Sequence, residues 1–171
     1  MDYFTTSLDT PDGPFTIIAN TNKIVASGWT ENELDLLESL PHIKELKEDP
    51  LKEFTQTVED YYGGNFEAVA EVPLSISSTP FIMEVWHNIS QIPPGETLTY
   101  SELAEAAGNP RAYRAAATAC GKNHAALFIP CHRVVRSNGS LGGFGWGLPL
   151  KQKLLNREAK YLYKISGYTF F

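Results

Sequence analysis

The sequence predicts an α+β fold in two parts: a small N-terminal antiparallel sheet with a helix, then a mostly helical C-terminal half containing a helix-turn-helix and a short strand. Three observations carry this expectation. A Pro11-Asp12-Gly13-Pro14 turn cluster separates two β-prone runs, and two Ala-rich stretches flank Gly108-Asn109-Pro110. The charge also changes sign: residues 1–95 hold 16 acids and 4 bases, whereas residues 96–171 hold 4 acids and 10 bases.

Residues 3–7 and 15–19 flank the first turn cluster, in which Pro presets φ and Gly accepts positive φ, so they read as a hairpin. Residues 24–29 add a third strand. Leu51, Phe54, Val58, Tyr61 and Tyr62 recur at helical spacing until Gly63-Gly64 ends the helix. The uncharged, Ser-rich stretch 73–79 marks a boundary, giving domains 1–75 and 76–171. Thr79-Pro80 then supplies an N-cap and a proline at the first helical position. Phe81, Val85, Trp86 and Ile89 form that helix's apolar face, and Pro93-Pro94-Gly95 ends it. Helices over 99–107 and 111–120 follow at helix-turn-helix spacing, a pattern that many merely packed helix pairs share. Leu127-Phe128-Ile129 reads as a short buried strand, and Leu154-Leu155 lies in a final helix rich in Lys and Arg.

With 43% hydrophobic and 20% charged residues among 171, the chain can bury a core and is not of disordered, collagen-like or disulfide-stapled composition. The formal charge of −6 argues against a polyanionic partner, but the basic second half reverses that inference locally. No basic-then-apolar leader opens the sequence and no window approaches ~18 consecutive apolar residues. A cytoplasmic protein without a membrane partner is expected. The two cysteines, Cys120 and Cys131, read as thiols and not as a structural disulfide.

Chemistry concentrates in Pro130-Cys131-His132-Arg133-Val134-Val135. Only a thiolate is a strong nucleophile, and a free Cys of pKa about 8.5 is mostly protonated at neutral pH, so a base or cation must lie close. A lone Cys is otherwise a buried, inert residue. In an extended segment His132 would point away from Cys131, and a water would have to bridge the two. This run resembles the active-site signature of the O6-alkylguanine-DNA alkyltransferases, the methylated-DNA–protein-cysteine methyltransferases. The similarity extends over Phe81 to Trp86, Ile92, Gly95-Glu96-Thr97, Tyr100, Gly108-Asn109-Pro110-Arg111-Ala112, Arg114-Ala115, Asn123, Ser137-Asn138-Gly139, Gly142-Gly143-Phe144, Lys151, Leu154-Leu155 and Glu158. The hairpin with Gly13-Pro14-Phe15-Thr16 resembles the family's smaller domain.

The resemblance implies DNA repair by direct reversal: O6-alkylguanine, mainly O6-methylguanine, is flipped from duplex DNA and its alkyl group passes irreversibly to Cys131 in one turnover. It implies that Glu158 orients His132, which acts through water on Cys131. Tyr100 would protonate the leaving guanine, and Asn123 would tie the second helix to the Cys segment. Arg114 would enter the base stack, while Ala112, Ala115 and Ala116 let their helix approach the minor groove. Arg111, Lys122 and Arg136 are candidate phosphate contacts. Cys120, Ala126, Phe144, Gly145 and Trp146 are the candidate alkyl and base pocket. The implied partner is double-stranded DNA, met by a monomer in the cytoplasm, including the nucleoid, or in a nucleus. No cofactor or metal is expected: Cys120, His124, Cys131 and His132 are zinc-ligand types, but the motif commits two of them and the N-terminal half has no Cys.

The sequence departs from the family pattern in places. Tyr113 replaces a small residue before Arg114, Ala117 stands where Gly is frequent, and His124 follows Asn123 in place of Pro. Ala126 and Trp146 stand where relatives have Pro and Gly, which opens and narrows the pocket respectively, and Trp146 is expected to restrict bulky adducts. Other readings are a non-catalytic alkyltransferase-like or helix-turn-helix regulatory protein, and a Cys–His hydrolase. Cys131 opposes the first, because alkyltransferase-like proteins usually carry Trp there, and the adjacency of Cys131 and His132 opposes the last.

Overall fold

A computed structural model describes residues 1–166, with side chains through Lys160. The chain falls into two units, Met1–Ser77 with His124–Phe128, and Ser78–Asn123 with the residues from Ile129 onward.

In the first unit β1 (Phe4–Thr10) and β2 (Gly13–Ala19) pair antiparallel from Phe4 with Ala19 to Thr10 with Gly13, leaving Pro11-Asp12 as the loop. Gly13 takes φ +100°, which a side chain would oppose, and the Thr10 hydroxyl donates to its carbonyl at 2.7 Å. β3 (Ile24–Gly28) pairs antiparallel with β2. After the single-turn helix α1 (Leu34–Leu37), β4 (Lys47–Glu48) pairs parallel with β1, giving the order β3-β2-β1-β4. The expected helix is α2 (Lys52–Tyr62), which buries Phe54, Val58 and Tyr61 at i, i+4 and i+7. Trp29 Nε1 donates to the Tyr62 hydroxyl at 3.0 Å, and that hydroxyl donates to Asp12 at 2.8 Å, so α2 is pinned to the hairpin turn.

Leu127-Phe128-Ile129 does not form the expected strand. Leu127 has φ +76° and, with Phe128, makes a turn. The segment His124–Phe128 docks on β3 instead: the Ser27 N–H donates to His124 and the Ser27 hydroxyl to the Ala126 carbonyl, both at 2.8 Å. An apolar run of three residues does not distinguish a strand from a buried turn. A contiguous division at residue 75 leaves out this returning segment.

In the second unit α3 (Pro80–Ser90) is capped by the Thr79 hydroxyl, which accepts from the Ile82 N–H. Its buried face is Ile82, Val85, Trp86 and Ile89; Phe81, expected on that face, is only half-buried because Ile82 occupies the helical phase. Two-residue β5 (Leu98–Thr99) leads into α4 (Tyr100–Ala106), closed by a Thr99–Glu102 capping box. Gly108 at φ +95° turns the chain, and α5 (Tyr113–Gly121) follows, starting later than expected because residues 109–112 form a turn held by the Asn109 carbonyl. Trp86 Nε1 donates to the Ala119 carbonyl at 2.9 Å, joining α3 to α5. β6 (Val134–Val135) pairs parallel with β5, and α6 (Leu148–Ser166) ends the described chain.

Candidate active site

Cys131 opens a single 3-10 turn, Cys131–Arg133, that runs into β6. Its N–H donates to the Ile129 carbonyl at 2.8 Å and the Arg133 N–H donates to Pro130 at 2.9 Å, so the motif is wound and not extended as the sequence suggests. Three residues per turn rotate successive side chains by about 120°, and His132 and Arg133 both reach into the interior.

There they meet Glu158 of α6, itself 1% exposed. His132 Nε2 donates to Glu158 Oε2 at 2.7 Å. Arg133 donates from Nε to Oε1 at 2.7 Å, from Nη2 to Oε2 at 3.1 Å, and from Nη1 to the Ile92 carbonyl at 2.7 Å. Burial raises the Glu158 carboxyl, but His132 and Arg133 outweigh it and hold the group well below the ordinary carboxylate range. Burial pulls His132 down against the opposing influence of Glu158, and the ring is neutral. A neutral ring that donates from Nε2 keeps Nδ1 as an acceptor, and Nδ1 is buried with no hydrogen-bond partner among the described residues.

Asn123, just beyond α5, closes the other side. Its Nδ2 donates to the Ile129 carbonyl at 2.8 Å and to Cys131 Sγ at 3.2 Å. Burial pushes the Cys131 thiol up, and the Asn123 donor and the charge of Lys151 oppose that push. Lys151 is buried, with its ammonium group donating to the carbonyls of Val134 at 2.6 Å, Leu141 at 2.5 Å and Gly143 at 3.0 Å. It therefore straps residues 141–143 to β6. Burial and the neighbouring Cys120 raise the Tyr100 hydroxyl, which stays protonated and able to donate. Gly142 makes room for it: a Cβ there would stand 2.7 Å from the Tyr100 hydroxyl oxygen. Cys120 is pushed up to about 12 by burial and by Cys131, so it is a neutral thiol and no nucleophile.

A cleft of about 550 Å³ is lined by Tyr100 and Ser101 of α4, Tyr113, Arg114 and Ala117 of α5, and Arg136, among others. Arg111, Arg114, Ala115, Lys122 and Arg136 are exposed and Ala112 is half-buried. Ala116 does not belong to this face. It is 0% exposed, as is Ala119, and both are turned into the helix packing. The lining of this cleft includes neither Cys131 nor the expected pocket residues Cys120, Ala126, Phe144, Gly145 and Trp146, although Cys120 lies close enough to Cys131 and Tyr100 to interact electrostatically with both. Ala126 is buried in the first unit, bonded by Ser27. Gly145 is exposed, Phe144 and Trp146 are half-buried, and the Phe144 carbonyl accepts the Gly147 N–H in a turn.

Two side chains with no assigned role in the sequence reading turn out to organise the site. Arg133 lies inside the motif, and its double contact to Glu158 was not visible in the spacing. Lys151 carried a readable signal: with Leu154 and Glu158 it falls at i, i+3 and i+7, in one buried stripe of α6 where an unpartnered ammonium group would be costly. Among the described residues no group of three or more His, Cys, Asp or Glu side chains is placed to hold a metal ion, and no helix is long and apolar enough to cross a membrane.

Comparison with known proteins places this geometry. A model of the 6-O-methylguanine DNA methyltransferase DNA-binding domain matches residues 80–160, and a model of the ribonuclease-like domain of the same proteins matches residues 3–76. The constitutive methylated-DNA–protein-cysteine methyltransferase of Bacillus subtilis is 33% identical over 160 residues, covering 92% of this chain and 96% of the relative. The chain belongs to the 6-O-methylguanine DNA methyltransferase family. The bifunctional transcriptional activator and DNA repair enzyme Ada of Escherichia coli is 51% identical over 89 residues, and the match spans about a quarter of that longer family relative, 25%. A family structure from Mycobacterium tuberculosis, OGT in complex with DNA, superposes with a TM-score of 0.78 at 27% identity, covering 92% of this chain and 94% of that one. Family membership accounts for both units of the α+β fold.

Proposed function

We propose that this chain repairs O6-alkylguanine in double-stranded DNA by transferring the alkyl group to Cys131 once and irreversibly. The observation that carries the reading is the buried Glu158–His132 hydrogen bond beside a thiol held by Asn123. Ionised Glu158 fixes the His132 tautomer, and Nδ1 takes the Cys131 proton through a bridging water. The thiolate attacks the alkyl carbon in line with the bond to O6. That bond breaks, its electron pair passes to guanine, and the protonated Tyr100 hydroxyl supplies a proton to the base. Lys151, beside Cys131 and 6.0 Å from the Tyr100 ring centroid, offsets the negative charge first on the thiolate and, once the thioether has formed, on the phenolate. The product thioether is stable to water and thiols, which makes the reaction a single turnover.

Reaching the base requires extrusion from the duplex, at a cost of a few kcal/mol. Arg114 fills the vacated space from the exposed face of α5, and Ala112, Ala115 and Ala117 allow minor-groove approach by a monomer. DNA binding and transfer lie in residues 76–171, with a structural role for the acidic residues 1–75. The site belongs to a compartment that holds DNA, the cytoplasm or a nucleus. The DNA complex of the Mycobacterium tuberculosis relative supports the choice of partner. Incubation with a duplex carrying one O6-methylguanine is expected to add one methylene mass to the Cys131 peptide, one equivalent per chain. Multiple turnover, or an unmodified Cys131, overturns the reading.

A further inference from the structure

Tyr113 is the first residue of α5 and, at 46% exposure, the exposed aromatic among the described residues. Its ring contributes little to the core. The neighbouring Ala115 and Ala117 are small and exposed, so Tyr113 and Arg114 are the two large side chains rising from this stretch of helix. The Arg114 guanidinium carbon lies 5.8 Å from the Tyr113 ring centroid, and both residues line the cleft with Tyr100.

We infer that Tyr113 is a positioning residue for Arg114, its ring holding the guanidinium at the cleft before DNA arrives and so easing base extrusion. An unrestrained Arg on a helix surface samples many rotamers and loses that freedom on insertion. A ring fixed by two torsions, whose face attracts a guanidinium, narrows the distribution beforehand. The inference rests on the alkyl-transfer reading and adds a residue that acts on extrusion and not on the chemistry at Cys131.

Two substrates separate these steps: a duplex carrying O6-methylguanine, and the free nucleobase O6-methylguanine, which needs no extrusion. Tyr113→Ala is expected to slow transfer from the duplex about three- to five-fold, the size that an exposed cation–π contact supports, with the free-base rate unchanged. Tyr113→Phe keeps the wild-type duplex rate, and Tyr113→Leu, apolar but without a ring, behaves as Tyr113→Ala. An unchanged duplex rate in Tyr113→Ala, an equal loss on both substrates, or rescue by Leu overturns the inference and leaves the transfer reading standing. No adduct on wild-type Cys131 from either substrate overturns the transfer reading, and the inference with it.

Discussion

The two units bury polar groups in opposite ways. In the first, the buried polar side chains among the described residues are Thr16 and Ser27, whose hydroxyls donate to the carbonyls of Thr30 at 2.6 Å and Ala126 at 2.8 Å. In the second they are His132, Arg133, Lys151 and Glu158, every one ionisable. A hydroxyl costs little to bury once bonded, whereas an ion costs several kcal/mol unless its partners are well placed. Folding alone explains the first interior. It does not explain why the second carries ionisable groups that an apolar core of equal volume would render unnecessary; His132 and Arg133 follow Cys131 in its turn, and the Lys151 charge acts on the thiol.

Glu158→Ala tests that contrast most severely. It leaves the Arg133 guanidinium and the His132 ring buried without their shared carboxylate, and the expected loss is about 3–5 kcal/mol in urea unfolding. Transfer should fall on the order of 100-fold or more as the base loses its orienting partner. Glu158→Gln, which keeps the volume, should lose less stability but remain slow in transfer. A Gln variant with wild-type transfer would remove Glu158 from the chemistry. Lys151→Met comes next, with a loss of about 2–3 kcal/mol as buried carbonyls lose their donor. Because the Lys151 charge holds the Cys131 thiol down, its removal should also move the rate–pH profile to higher pH. An unmoved profile would reduce Lys151 to a structural strap.

Acid sharpens the comparison with a smaller effect. The Glu158 carboxyl is lowered on folding, so its contribution is present above the unfolded value of about 4.3 and is lost as pH falls toward the folded one. His132 is lowered by burial, so the unfolded chain takes up its proton first and stability declines below about pH 6.5. Urea midpoints across pH should therefore fall in two stages, with His132→Gln flattening the first and Glu158→Gln the second. A single-stage decline in wild type would contradict the neutral state of His132.

Local signals were legible in the sequence where one short stretch decides the structure. The Pro11–Gly13 turn, the Thr79-Pro80 start of α3 and the Gly63 stop of α2 each follow from backbone preferences of two or three residues. Cys131, His132 and Glu158 were readable because the motif and its distance to the last helix resemble a known pattern. What escaped depends on long-range pairing. β4 has two charged residues and no alternation, and it exists because β1 offers an edge. Leu127-Phe128-Ile129 is apolar enough for a strand, but Ser27, about a hundred residues earlier, captures the backbone around it as a turn. Ala116 and Ala115 are identical in chemistry, and only helical phase puts one inside and the other on the surface.

Ser27→Ala carries the smallest expected effect and tests the other half of the comparison. Removing a hydroxyl from a buried, neutral hydrogen bond should cost about 1 kcal/mol, visible as a lower urea midpoint. The segment that Ser27 holds, His124–Phe128, leaves the second unit at Asn123 and returns at Ile129. Those two residues are clamped to each other by the Asn123 Nδ2 bond to the Ile129 carbonyl, and Asn123 also holds Cys131 Sγ. The clamp closes the loop at its base, so loosening the loop's far side should leave the thiol in place and the transfer rate unchanged. A transfer rate that falls with Ser27→Ala would mean that the buried hydroxyls of the first unit serve the chemistry as well, and the division between an interior built for folding and one built for reaction would fail.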